Sequence, residues 1–171
     1  MNQPLTPEPF HGVVVFEAAP IPTVVAREHN LPLAPKAMSA FYDSTYGTLY
    51  PALAAAGISP AGPAFGLHTR LPSQTVDIEA GVTVDRAAPN LPDGLVNSVL
   101  PGGNIAATTY VGSYDGLGSA WGAFMEAVAA AGHTPGLPLW EVYVSEPTLD
   151  ADPSTMRTDL YVKLQESAAR P

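Results

Sequence analysis

One stretch of this chain is written twice. Residues 49–68 read again 75 positions later, at 124–143, and self-similarity over such a length restricts the fold to two related halves. The closest agreement sets Ala54-Ala55-Ala56-Gly57 and Gly62-Pro63-Ala64-Phe65 against Ala129-Ala130-Ala131-Gly132 and Gly136-Leu137-Pro138-Leu139-Trp140. At the same offset Tyr42, Tyr46, Leu49 and Leu53 meet Leu117, Trp121, Phe124 and Val128. Steps of four, three and four put these side chains on one helix face. Farther along, Phe65, Gly66 and His68 meet Trp140, Glu141 and Tyr143, and after one extra loop Asp77-Ile78-Glu79 meets Asp159-Leu160-Tyr161. The expected fold is α+β, a duplicated strand–helix–strand–strand module in a single domain over residues 1–171. Its repeats are expected over about 11–85 and 97–165. They form an antiparallel sheet with two main helices packed on one face and a central ligand cleft of pseudo-twofold symmetry.

The pattern along the chain fills in these modules. Val13 to Phe16 and Thr23 to Glu28 read as short strands around the turn Ala19-Pro20-Ile21-Pro22. Pro35 to Ala56 reads as a helix capped by Gly57, with a kink or break expected at Pro51 because proline removes a hydrogen bond and crowds the Gly47 carbonyl. Strands follow at Ala64 to His68 and Val76 to Val84, then a linker from Arg86 to about Asn97 rich in Pro, Asn and Asp. After the turn Leu100 to Asn104 come a strand at Ile105 to Val111 and a helix over about Tyr114 to Ala131, with Ser113 as N-cap and Gly132 as C-terminal cap. Strands at Leu139 to Ser145 and Thr158 to Leu164 flank an acidic surface loop, Glu146 to Arg157.

Charge and composition exclude several functions. The net charge is −9 with only seven Lys plus Arg and no basic run, so direct nucleic-acid binding, which needs clustered cations, is not expected. The absence of cysteine rules out disulfides, thiolate catalysis and Cys-ligated zinc. The four histidines, at 11, 29, 68 and 133, have no metal-ligand spacing. No cofactor loop is visible: Gly116-Leu117-Gly118 lacks the third glycine of a dinucleotide turn, and Gly102-Gly103 has no lysine for phosphates. A Gly-x-Ser-x-Gly elbow is also missing. Met1 to Phe10 has neither a basic side chain nor an apolar run, and no stretch approaches the roughly 20 apolar residues of a membrane span. A soluble cytoplasmic protein without cofactor or metal is expected.

Strand alternation nominates the site. In Trp140 to Val144, Trp140, Val142 and Val144 share one face while Glu141 and Tyr143 share the other. In the last strand Leu160, Val162 and Leu164 oppose Asp159, Tyr161 and Lys163. With the apolar sets under the helices, the remaining face carries Glu141, Tyr143 and Tyr161, and His68 and Glu79 from the first copy. Gly66 stands where Glu141 stands in the second copy, so a carboxylate faces a vacant position among aromatic rings. Such a site suits a flat lipophilic cation: aromatic faces attract positive charge by about 0.5–2 kcal/mol each, and a carboxylate in apolar surroundings needs a cation to ionise cheaply. The same alternation equally describes Glu141 pointing to solvent from an ordinary antiparallel strand.

These residues resemble the GyrI-like small-molecule-binding domain of the SOUL/GyrI superfamily, also found as the effector domain of AraC- and MerR-type multidrug regulators. The resemblance is carried by Leu100 to Ala106, Tyr110 to Leu117 with Trp121, Pro138 to Pro147, Arg157 to Val162, and Val76 to Glu79. It implies two repeats around a hydrophobic cleft in which Glu141 contacts ligand. The ligand-contacting set it points to is Glu141, Tyr143, Tyr110, Tyr161, His68, Glu79 and Trp140. Members of the family bind lipophilic, often cationic compounds, some inhibit DNA gyrase, and some stand-alone members hydrolyse strained cyclopropane genotoxins with the glutamate and an aromatic hydroxyl. With no helix-turn-helix ahead of the domain, a transcription factor is not expected from this chain alone. Two functions remain open: sequestration or sensing of lipophilic cations, and hydrolysis of strained electrophiles with Glu141 as base and Tyr143 or Tyr110 as donor.

Overall fold

The computed structural model describes residues 8–145 and 152–165. In chain order the elements are β1 (Val14–Ala18), β2 (Ile21–Pro32), α1 (Pro35–Ala55), β3 (Phe65–His68), β4 (Thr75–Thr83), β5 (Val96–Leu100), β6 (Gly103–Val111), α2 (Leu117–Ala130), β7 (Pro135–Tyr143) and β8 (Arg157–Leu164). Short 3-10 turns occupy Tyr114–Gly116 and Pro153–Thr155. The chain divides into two compact units. One is the continuous segment Pro20–Pro101; the other joins β1, ahead of that segment, to the elements from Gly102 onward. This boundary differs from the sequence reading, which kept the first strand with the first repeat. β1 pairs antiparallel with β6, from Val14 opposite Ala107 to Ala18 opposite Gly103, and so belongs to the later elements.

Each unit has four antiparallel strands. Their order is β3-β4-β2-β5 in one and β7-β8-β6-β1 in the other. Each helix covers its own strands. Leu49 and Leu53 of α1 pack with Val24, Val82, Val84 and Ile58, and Phe124 and Val128 of α2 pack with Ala106, Leu139, Leu160, Val162 and Leu164. The helical stripe read from the sequence therefore marks both cores. Burying these branched and aromatic side chains stabilises each unit at about 1.5–3 kcal/mol per side chain.

Both helices end the same way. In α1 the Ile58 N–H donates to the Leu53 carbonyl at 2.9 Å and the Gly57 N–H to the Ala54 carbonyl at 3.1 Å. In α2, His133 donates to Val128 at 3.2 Å and Gly132 to Ala129 at 3.0 Å. This is the Schellman pattern, which needs a left-handed residue just past the helix, and Gly57 and Gly132 supply it with φ of 71° and 91°.

Several local expectations are corrected. α1 runs unbroken through Pro51; both Pro51 and Gly47 are exposed, so water serves the carbonyl that proline leaves without a donor. The linker from Arg86 to Asn97 gives way to β5, which pairs with β2 from Ile21 opposite Leu100 to Val25 opposite Val96; the polar Asn97-Ser98 at its centre masked the strand. Ser113 does not cap α2 with its side chain, because the 3-10 turn intervenes and Gly116 is the N-cap. The ladder also shifts the repeat pairing of the last strands. Gly66 lies opposite Ala80 and Glu141 opposite Leu160, so Glu79 corresponds to Asp159 rather than to Tyr161.

Tyr46 ties α1 to the strands beneath it. Its single hydroxyl proton is shared between the carbonyls of Phe65, at 3.0 Å, and Gly81, at 3.1 Å. Tyr46→Phe keeps the ring and loses both bonds, and is expected to destabilise the protein by about 1–2 kcal/mol. Urea unfolding of the two proteins measures this, with an unchanged midpoint counting against the tie.

Candidate ligand-binding site

The ladder decides which side chains share a face. On β7, Leu139, Glu141 and Tyr143 lie opposite Val162, Leu160 and Thr158 of β8, and these in turn lie opposite Ala106, Thr108 and Tyr110 of β6. Leu139, Leu160, Val162 and Ala106 are core partners of α2. Glu141, Tyr143 and Tyr110 are therefore on the helix-covered side. Trp140 and Tyr161 are on the other side, stacked with ring centroids 5.3 Å apart and planes 3° from parallel, and the Phe10 ring meets Tyr161 edge-on at 5.9 Å. The expected grouping of Glu141 with Tyr161, and of Trp140 with the helix, is thus wrong. Alternation sorts residues into two sets but assigns neither set to a side. Apolarity could not decide, since Trp140 is 0% exposed and Tyr161 4%.

Glu141 is held from two directions. The Trp121 indole N–H donates to its Oε2 at 2.7 Å, and the Tyr143 hydroxyl donates to Oε1 at 2.9 Å. Burial pushes the Glu141 pKa up, and the two hydrogen bonds pull it partly back. No Lys, Arg or His among the described residues pairs with this carboxylate. The Tyr114 ring lies edge-on to Tyr143, with centroids 6.0 Å apart and planes at 74°. A part-buried carboxylate with neutral donors and aromatic neighbours is an acceptor for positive charge.

The other nominated residues are placed elsewhere or otherwise engaged. Tyr110 shares the face of Glu141, but its hydroxyl donates to the Ser113 carbonyl at 2.7 Å. Glu79 sits on the side of β4 away from Ile78 and accepts from Arg27 Nε at 2.9 Å and from Ser98 Oγ at 2.8 Å. It belongs to an ion-pair network. In the first unit Tyr46 occupies the place of Trp121, and with glycine at position 66 its hydroxyl bonds backbone carbonyls instead of a carboxylate. Trp121 and Tyr114 are the contacts sequence reasoning missed. Trp121 read as helix core, which is half its role: a buried indole must also find an acceptor for its N–H.

His68 is 6% exposed, and its Nδ1 has no hydrogen-bond partner among the described residues. Burial first, and the Arg70 charge second, lower its pKa from 6.5 to about 4. The unfolded chain therefore binds a proton that the folded chain refuses between these values. Stability from this residue is complete above about 6.5 and declines as pH falls toward about 4. His68→Phe is expected to flatten the dependence of unfolding free energy on pH across that window, as denaturant titrations at stepped pH would show.

The family model of the GyrI-like small molecule binding domain matches residues 16–165. The chain belongs to the GyrI-like family. No curated protein matches the sequence. Among solved structures, the GyrI-like chain is similar to EcmrR in its complex with DNA (TM-score 0.75, 16% identity), covering 91% of this chain and 57% of that one. It is also similar to SAV2435 bound to tetraphenylphosphonium (TM-score 0.66, 12% identity, 91% of this chain and 94% of that one). A hydrolase encoded by lin2189 from Listeria innocua aligns with a TM-score of 0.61 at 12% identity, over 92% of this chain and 93% of that one. At these identities the solved structures speak to fold alone. Among the described residues of this GyrI-like domain, no cluster of three or more His, Asp or Glu is placed to hold a metal, and no helix is long and apolar enough to cross a membrane.

Proposed function

We propose that this GyrI-like domain binds lipophilic cations at Glu141, with Trp121, Tyr143 and Tyr114 around the carboxylate. The observation that carries this reading is a part-buried carboxylate held by two neutral donors and, among the described residues, by no cation. Ionising it alone is unfavourable, and a permanently charged ligand removes that penalty without needing a hydrogen bond. Tetraphenylphosphonium, bound by the structurally similar SAV2435, has this chemistry. Trp121 fixes one oxygen of the carboxylate, which leaves its charge in place for the incoming ligand. The matching strand order and helix caps of the two units support a duplicated module within a single domain, one copy keeping the carboxylate and the other glycine.

Hydrolysis is the second reading, favoured by the raised pKa of Glu141 and by the adjacent Tyr143 hydroxyl. A carboxylate made more basic by burial can take a proton from water as that water attacks a strained carbon. The strained C–C bond breaks as the C–O bond forms, its electron pair passes to a carbonyl conjugated with the ring, and Tyr143 turns its hydroxyl from Glu141 to donate to that carbonyl oxygen. Incubation with tetraphenylphosphonium and with a cyclopropane-bearing electrophile, followed by mass spectrometry, separates the two. Retention of the unchanged cation, lost with Glu141→Gln, is the expected result. Catalytic accumulation of a product heavier by one water, abolished by the same substitution, establishes hydrolysis instead. If wild type neither retains the cation nor adds water, the assignment of the site to Glu141 fails.

A further inference from the structure

β5 is the outer strand of its unit, paired with β2 and with no other described strand. Which of its main-chain groups face outward follows from its neighbours. The Pro22 carbonyl accepts from the Val84 N–H at 2.9 Å, so Pro22 turns its main chain toward β4 and away from β5. Directions alternate along a strand. Thr23 therefore turns toward β5 and bonds Ser98, while Pro22–Val99 and Val24–Asn97 are pairs without hydrogen bonds. The N–H and C=O of Asn97 and Val99 point out from the open edge, and no described group takes them. This stretch is bracketed at both ends. The Leu95 N–H is committed to the Pro92 carbonyl at 3.2 Å, and Pro101 has no N–H to offer.

We propose that the β5 edge is a pairing surface for a second copy of this chain, the two β5 strands lying antiparallel about a twofold axis at Ser98. In this register Asn97 meets Val99 of the second copy and the two exchange N–H···O bonds; symmetry repeats the exchange. Every outward group inside the bracket then has a partner. Ser98 faces its own counterpart, and Val96, 37% exposed, lies across from Leu100 of the second copy. The chemistry of the edge favours self-pairing. A chain of net charge −9 repels its own copy over most of its surface, yet residues 94–104 carry no charge at all. β5 also lacks the lysine or proline that blunts an open edge. β1, the outer strand of the other unit, has the exposed Glu17 instead, which sets like charges together in any self-pairing. The Asn97 side chain bonds the N–H and the carbonyl of Ala88, each at 2.9 Å, so β5 is held in place before a second strand arrives and little order is lost on pairing. Association thus falls to the unit that has glycine in place of the site carboxylate, and it does not depend on the reading of Glu141.

Sedimentation equilibrium of the full chain is the first test. The 17.8 kDa chain is expected to pass reversibly from monomer to dimer as its concentration rises through the micromolar range. Val99→Pro removes one outward N–H from each copy and no ladder bond to β2, and is expected to weaken the dimer about 10- to 100-fold. Val99→Lys keeps the N–H, places a cation on the edge, and is expected to act in the same direction. The register has its own test, since the chain has no cysteine. Across the twofold the two Ser98 Cα atoms stand about 4.5 Å apart, within disulfide reach. Mild oxidation with diamide is therefore expected to link Ser98→Cys into a covalent dimer and to leave Val96→Cys unlinked. A wild type that stays monomeric at millimolar concentration, or a dimer untouched by both Val99 variants, overturns the proposal. Linkage through Val96→Cys and not through Ser98→Cys overturns the register. A wild-type monomer that pairs β5 with an added extended peptide assigns the edge to another protein, and likewise overturns self-pairing.

Discussion

Glu141→Gln is expected to weaken tetraphenylphosphonium binding by about 30- to 150-fold and to leave a neutral ligand of similar size nearly unaffected. The magnitude follows from Coulomb's law: a unit charge about 5.5–8 Å from a carboxylate at an effective dielectric of about 20 gains about 2–3 kcal/mol. Shape is retained, since the amide oxygen still accepts from Trp121 and the Tyr143 hydroxyl can rotate to accept from the amide. The same variant carries a second, opposite readout. Because burial raises the Glu141 pKa, the folded chain holds a proton there at pH values where the unfolded chain has released it. Stability from this group therefore declines as pH rises out of the ordinary carboxylate range. At neutral pH the glutamine variant should unfold at a higher temperature than wild type, and that gain should vanish in acid. Isothermal titration and thermal melts at two pH values give both answers. A variant that binds as wild type does, or that melts lower at neutral pH, contradicts the account of Glu141.

Arg157→Leu is expected to destabilise the fold by about 3–5 kcal/mol, the usual result of leaving one member of a buried ion pair behind. Arg157 Nε donates to Asp159 Oδ1 at 3.0 Å and Nη2 to Oδ2 at 2.9 Å, with side-chain exposures of 11% and 3%. Thr109 adds a hydroxyl to Oδ1 at 2.7 Å, and Nη2 also reaches the Glu8 carbonyl at 3.0 Å. Without the guanidinium the Asp159 carboxylate keeps the Thr109 hydroxyl but loses its opposite charge while still 3% exposed. At about 2–4 °C per kcal/mol for a chain of this size, the melting temperature should fall by about 6–20 °C. The double change Arg157→Leu with Asp159→Leu should recover much of this loss, because it removes the stranded charge along with its partner. A double variant as unstable as the single one would show that packing, not charge, is responsible.

The parts of the fold that rest on local chemistry were legible in the sequence. Gly57 and Gly132 each follow an alanine run with helix periodicity, and both sit in the left-handed position that ends a helix. Leu49, Leu53, Phe124 and Val128 were readable as core from their spacing alone. What was not legible depends on pairing across strands. Trp140 and Glu141 are neighbours in sequence, and only the register with Tyr161 and Leu160 tells which of them faces α2. β5 has one alternating turn of pattern around Asn97 and Ser98, and exists because β2 offers it an edge. Within the site, alternation paired Glu141 with Tyr143 but set them away from the helices and beside Tyr161 and Glu79; the register puts Glu141, Tyr143 and Tyr110 under α2, with Trp140, Tyr161 and Glu79 on the other sides of their strands. Trp121 was visible as a helical apolar position but its hydrogen bond to Glu141 requires tertiary proximity. The inner half of the acidic loop after Ser145 lies outside the described residues.

One unit is continuous in the chain, while the other encloses it. During synthesis this asymmetry becomes an order of events. β1 leaves the ribosome early, but its partner β6 begins only at Gly103 and β8 ends at Leu164. At about 5–20 residues per second the wait for β6 is on the order of ten seconds, and the wait for β8 is longer. In that interval the segment Pro20–Pro101 has all of its own strands and can close first. β1 is then a strand held in reserve, its Val14 and Phe16 without their strand partner until β6 has emerged. The Glu141 site, made wholly from elements that follow Gly102, comes into being after the unit Pro20–Pro101.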